Sequence, residues 1–167
     1  MVKFLLILVF AALPILSCGG GGQGASATTA RVDEFDGEIM RIAENARNTL
    51  NIFFRYLSRP EAGEGNFSVK YAFQVGGDAV SVEQVWISNI TFNDGMYYGT
   101  IVNAPVYLTE VGMGDRVSFN VELITDWMFT RDGRIVGGHS IRHLLERIPE
   151  GERTDGQRRT LQMFQQP

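Results

Sequence analysis

The sequence predicts an α+β fold: one long N-terminal amphipathic helix packed on a small, curled antiparallel sheet of five to six strands, with a short C-terminal helix. Three observations predict it. Apolar residues recur at three- and four-residue spacing over 33–57, then at every second position from 69 onward. Asp-Gly pairs separate successive β-rich runs. A helix that precedes the strands, instead of alternating with them, is the element order of an α+β domain.

The helix is expected over 33–57. Ile39, Ile42, Ala43, Ala46, Leu50, Phe53 and Leu57 form its apolar stripe. Asp33, Glu34, Asp36 and Glu38 crowd its start while Arg55 and Arg59 stand near its end, a polarity that suits the helix dipole. Pro60 and Gly63 stop it. Its charged face is mixed in sign, which argues for packing on a sheet and against a membrane surface.

The strands follow. Val69, Tyr71, Phe73 and Val75 alternate with Ser68, Lys70, Ala72 and Gln74, the pattern of a half-buried strand. Gly76-Gly77-Asp78 makes a turn. The runs 85–92 and 96–102 flank Asn93-Asp94-Gly95, read as a three-residue hairpin loop with Gly in the left-handed position. Asn103-Ala104-Pro105 breaks that pairing. Val117, Phe119 and Val121 alternate after the turn at Gly112 to Asp115, and Arg131-Asp132-Gly133 makes a second hairpin between 127–130 and 134–136. Ser140 is placed to cap a short helix running to Ile148, although 140–144 also reads as a strand. Residues 149–167 read as a polar, frayed tail apart from 161–164.

The N-terminus reads as an address. Residues 1–17 carry one charge, Lys3, then an apolar run over 4–16 that is too short for a bilayer core needing about 20 residues. This is the layout of a secretory signal. It closes on Ile15-Leu16-Ser17-Cys18, and Cys18 is the only cysteine. The segment resembles the lipobox of bacterial lipoproteins. The resemblance implies cleavage between Ser17 and Cys18 and lipidation of Cys18, and Gly19 in place of Asp favours sorting to the outer membrane. Residues 18–31 then form a Gly/Ser/Thr/Ala tether with a reach of about 20 Å.

Without 1–17 the chain has 150 residues and a net charge of −5, one below the −4 of the whole because Lys3 leaves. That size is one domain. The acidic balance lacks the basic footprint of a nucleic-acid binder. With Cys18 consumed by lipid, the core must supply stability without a disulfide.

Chemistry-bearing constellations are sparse. Asp126-Trp127 lies at a bend, and Arg142 is the one basic residue of an apolar, Gly-rich stretch. The preferred reading is structural, with Asp126 capping the turn and Trp127 filling the core; the alternative is a groove of Trp127, Trp86 and Arg142, and a buried Asp126–Arg142 pair is also expected, since a buried charge needs a partner. His139 and His143 stand four apart, which is a weak metal signal, and no metal site is expected. Ser140 lacks the Gly-x-Ser-x-Gly elbow of a hydrolase nucleophile. No glycine run has dinucleotide-binding spacing, so no cofactor is expected.

The segments FSVKYAF, VWISNITF, MYYGTIVNAPVYL, MGDRVSFNVELITDWMF and DGRIVGGHSIR carry a family resemblance. Gly114-Asp115-Arg116-Val117, Ile124-Thr125-Asp126-Trp127-Met128, and Gly137-Gly138 followed by Ile141-Arg142 are its most specific pieces. Together they resemble the bacterial domain of unknown function 2314, the YegJ-like proteins, over residues 32–148. The resemblance implies a small secreted or lipid-anchored domain and implies no reaction. Gln84 stands where many members carry His, and His139 where an aromatic is usual. The expected function is a lipid-anchored cell-envelope protein, non-enzymatic, binding an envelope protein partner and touching the membrane through its N-terminal lipid. The alternatives are an envelope enzyme with a site near Asp126, Trp127 and Arg142, and an immunity-type lipoprotein.

Overall fold

The computed structural model describes residues 6–8, 30–32, 37–75 and 82–164. The expected cleavage site at Ser17 and Cys18, and most of the expected leader and tether, lie outside the described residues. Leu6–Leu8 (β1) and Ala30–Val32 (β2) pair as a small antiparallel sheet of their own.

The single long helix is overturned. In its place stand two short ones, α1 (Gly37–Asn48) and α2 (Leu50–Ser58). The break is at Thr49 and has a local and a distant cause. Locally, the Thr49 hydroxyl donates to the Asn45 carbonyl at 2.8 Å, competing with the helical ladder. The Ile52 amide donates to the Thr49 carbonyl at 3.0 Å, so the chain tightens into a three-residue turn. From afar, the Trp127 indole N–H inserts at the break, donating to the Ala46 carbonyl at 3.0 Å and to Thr49 Oγ1 at 3.2 Å. A side chain entering the ladder is an ordinary cause of a kink.

The main sheet is antiparallel, with six strands in the order β6-β5-β4-β3-β7-β8. These are β3 (Glu64–Gln74), β4 (Val82–Asn93), β5 (Met96–Ile101), β6 (Arg116–Phe119), β7 (Ile124–Arg131) and β8 (Arg134–Gly137). Both Asp-Gly hairpins form, with loops of two residues and not three. Asp94 (φ 49°) and Gly95 (φ 79°), and likewise Asp132 (φ 48°) and Gly133 (φ 75°), all lie in the left-handed region. Positive φ at both central residues is the type I′ turn, whose twist matches the strands.

Helices cover both faces of the sheet. On one face, Phe53 of α2 and Ala46 of α1 pack with Val69, Tyr71, Val85, Ile87, Trp127 and Phe129. On the other, Ile141, Leu144 and Leu145 of α3 (His139–Arg147) pack with Trp86, Met128, Ile135 and Phe164. The strand expected to be half-buried is therefore buried on both faces from Ser68 to Ala72. A register shift in β7 between the partners of Lys70 and Tyr71 returns Ile124 to the first core.

The expected frayed tail is also ordered through residue 164. Thr154 and Gln157 form a reciprocal capping box for α4 (Asp155–Met163), and Phe164 bridges to Ile135 beside β8. Among the described residues, no helix is long and apolar enough to cross a membrane.

Candidate functional site

Lys70 stands in the middle of β3. The register sets Trp86 of β4 on one side of it and Asp126 of β7 on the other. The first turn of α3 lowers Ser140 onto the same spot. Lys70, Asp126 and Ser140 are only 1%, 0% and 3% exposed.

The three side chains form one network. Lys70 Nζ donates to Ser140 Oγ at 3.2 Å and lies 5.8 Å from the Trp86 ring centre. Ser140 Oγ donates to Asp126 Oδ2 at 2.6 Å, and the Ser140 backbone N–H donates to the same oxygen at 2.8 Å. The Trp127 N–H donates to Asp126 Oδ1 at 2.8 Å. Asp126 thus caps the N-terminus of α3 from a neighbouring strand, where the helix dipole favours an anion. Burial pushes the Lys70 ammonium down to about 8, against the opposing pull of the Asp126 carboxylate.

That displacement has a testable sign. Below pH 8 Lys70 is protonated whether folded or unfolded, and its burial opposes folding in full. From about 8 to 10.5 the unfolded chain holds the extra proton, so stability contributed by this site rises with pH. Urea unfolding of the parent and of Lys70→Met should differ by a constant below pH 8. The difference should then move in the parent's favour by on the order of 3 kcal/mol up to pH 10.5. Curves that stay parallel across that range would exclude a depressed Lys70.

The pairings expected from the sequence are corrected. Asp126 does not meet Arg142: that side chain is half-exposed and donates to Glu146 at 2.8 Å on the outer side of α3. The groove of Trp127, Trp86 and Arg142 does not form, because the two tryptophans belong to cores on opposite faces of the sheet. His139 opens α3 and sits edge-on to Trp127 at 6.0 Å, with His143 one turn further along the helix. Among the described residues, no group of three or more His, Cys, Asp or Glu side chains could hold a metal. Gln84 accepts from Thr125 Oγ1 at 3.2 Å, beside the bulge.

Four buried polar side chains, Ser68 among them, were not singled out by the sequence. Lys70 had a signal: apart from Lys3 it is the only lysine, and the other cationic chains are arginines. Glu83, 2% exposed, accepts the amides of Val106, Tyr107 and Leu108 at 2.5, 2.8 and 2.8 Å. Asn103 Oδ1 accepts the Trp86 amide at 2.6 Å. The last two pin the long connection between β5 and β6 to the sheet.

Two further features lie at the surface. Arg131 donates to Glu64 Oε1 at 2.8 Å and covers the Tyr56 ring at 4.5 Å, tying α2 to the strand pair β3–β7. Between α2 and the β4–β5 hairpin opens a cleft of about 270 Å³, lined by Phe54, Leu57, Ser58, Ile90, Phe92 and Tyr97. Phe92 is 62% exposed at its rim.

Comparison with known proteins agrees with the motifs. The chain is 36% identical over 130 residues to a protein of Neisseria meningitidis serogroup B named as an ankyrin repeat protein, covering 74% of this chain and 51% of that one. This chain therefore spans about half the length of that relative. It is 32% identical over 119 residues to YegJ of Escherichia coli strain K12, covering 71% and 74% of the two chains. No solved structure matches it. Residues 36–160 match the family described as an uncharacterized protein conserved in bacteria (DUF2314), and the chain belongs to that family.

Proposed function

We propose that this chain is a lipid-anchored binding domain of the bacterial cell envelope, held at the outer membrane by acyl chains on Cys18 and without catalytic activity of its own. The observation that carries the non-enzymatic reading is the burial of the Lys70–Ser140–Asp126 network. Ser140 donates a hydrogen bond to Asp126 and accepts one from Lys70, and all three are sealed beneath α3. A nucleophile so engaged and so enclosed serves to dock a helix. The apolar cleft beside α2, with Phe92 at its rim, is the surface offered to an apolar side chain of an envelope protein partner.

The anchor reading rests on the lipobox-like Ile15-Leu16-Ser17-Cys18. Two acyl chains hold a protein stably where one does so only marginally. Cleavage before Cys18 would remove β1 with the leader and leave the six-stranded sheet intact. In cells given radioactive palmitate, the parent should be labelled, whereas Cys18→Ala should be unlabelled and keep its leader. Equal labelling of both would end the anchor reading. The binding reading is tested separately by a photo-crosslinker at position 92. A single discrete adduct, lost when Leu57→Asp fills the cleft with charge, is expected. Adducts indifferent to that substitution would count against the cleft.

A further inference from the structure

We propose that Arg131, Arg134, Arg55 and the Tyr56 hydroxyl form a binding site for a phosphate group, at the end of the sheet where α2 meets the β7–β8 hairpin. The sheet builds the floor of the site. Its register sets Glu64 of β3, Arg131 of β7 and Arg134 of β8 in one row across three strands. Directly opposed residues leave the same face of a sheet. Here that is the face of α2, because Phe129 and Val136, two positions along the same hairpin, pack in the first core. Arg55 and Tyr56 reach the row from α2.

Arg131 is fixed in position. Its Nε and Nη2 reach Glu64 Oε1 at 2.8 and 2.7 Å, and the Glu64 side chain is enclosed, only 1% exposed. Glu64 Oε2 is taken by the Glu61 amide at 2.9 Å. The guanidinium lies 4.5 Å from the Tyr56 ring centre and 5.5 Å from that of Phe129.

The cluster has more donors than acceptors. Arg134 stands directly across from Arg131, a like-charge pairing that opposes strand association. Among the described residues no carboxylate pairs with Arg134: the Asp132 carboxylate lies against Gly63, and Glu64 is engaged by Arg131. Tyr56 adds a further donor. Hydrogen bonds from Arg131 and from Arg55, whose Nη2 is 3.0 Å from the Tyr56 oxygen, lower the phenol from its ordinary value. With its oxygen accepting both, the O–H remains to donate, and no acceptor for it stands among the described residues.

The ligand class follows from the surplus. One guanidinium suffices for a carboxylate, as Arg131 does for Glu64. Two further arginines and a phenol O–H suit an oxyanion of higher charge, and the guanidinium fork matches the geometry of phosphate. Free phosphate and the phosphate of a lipid headgroup present the same group. The site shares no residue with the apolar cleft, so either can fail alone.

The test is thermal melting of the full chain in detergent, with inorganic phosphate compared with sodium chloride at equal ionic strength. Phosphate at about 5 mM should raise the melting temperature by roughly 3 °C, as expected for a dissociation constant on the order of 1 mM. Arg134→Gln should melt above the parent in chloride, because the opposed charge is gone, and should lose the phosphate response. Tyr56→Phe, which keeps the ring, should weaken that response several-fold. Glycerol 3-phosphate, run beside inorganic phosphate, reports the source: an equal shift supports the site with free phosphate as its ligand, and a larger shift supports it with a lipid headgroup. No shift in the parent, or a shift that Arg134→Gln shares in full, would overturn the site.

Discussion

Replacing Asp126 with alanine should cost about 3–5 kcal/mol of folding stability, the range for breaking a buried charge pair from one side. The melting temperature should fall by roughly 10 °C or more. The reason lies in what loses a partner. The Trp127 amide, the Ser140 amide and the Ser140 hydroxyl all give their hydrogen bonds to Asp126. Lys70 loses the one charge that holds its proton on, and is pushed further down toward neutrality. Adding Lys70→Met to Asp126→Ala should recover a large part of the loss, because the uncompensated cation goes with it. Arg142→Ala should change stability by less than about 0.5 kcal/mol, since its ion pair with Glu146 is an exposed helical one. Thermal melts of the four proteins decide the matter. An Asp126→Ala protein that melts with the parent, or an Arg142→Ala protein that matches its loss, would refute the network.

The same residues show what a sequence of this kind can disclose. That Asp126 needs a partner was legible, because a carboxylate inside an apolar stretch cannot stay unpaired. Which partner was not legible. Arg142 is nearer along the chain, while Lys70 is nearer in space because β3 and β7 pair in a register that puts it opposite Asp126. The alternation around Val69 and Tyr71 assigned Lys70 to a solvent face. That face is instead covered by α3, whose own segment read equally well as helix or strand. The hairpins were legible because Asp-Gly carries its conformation locally. The helix break was not, because the side chain that enters it, Trp127, comes from a strand of the far half of the chain. Local chemistry reads out locally; the two-sided burial of β3 and the split of the helix are tertiary facts.

Glu83→Ala should be the second costly substitution, at about 3 kcal/mol, and its damage should be regional. One buried carboxylate satisfies three consecutive backbone donors, at Val106, Tyr107 and Leu108. Each amide left unsatisfied away from water costs about 1–3 kcal/mol, reduced where the loop can swing out and hydrate. Val106 and Tyr107 are already exposed on their side-chain side, so release is open to this segment. Asn103 still accepts from the Trp86 amide, and the turn at Gly112 is closed by Asp115 Oδ2 at 2.8 Å, so the ends of the loop stay attached. Amide exchange at 106–108 should accelerate strongly while β3 and β7 keep their protection. Glu83→Gln, which retains one acceptor oxygen but turns an amide group toward the N–H donors, should lie between the two. A charged side chain near the start of a strand would ordinarily be solvated and dispensable, and Glu83→Ala would then be silent. Loss confined to 106–108 would instead mean that β4 spends a buried charge on the shape of one exposed loop.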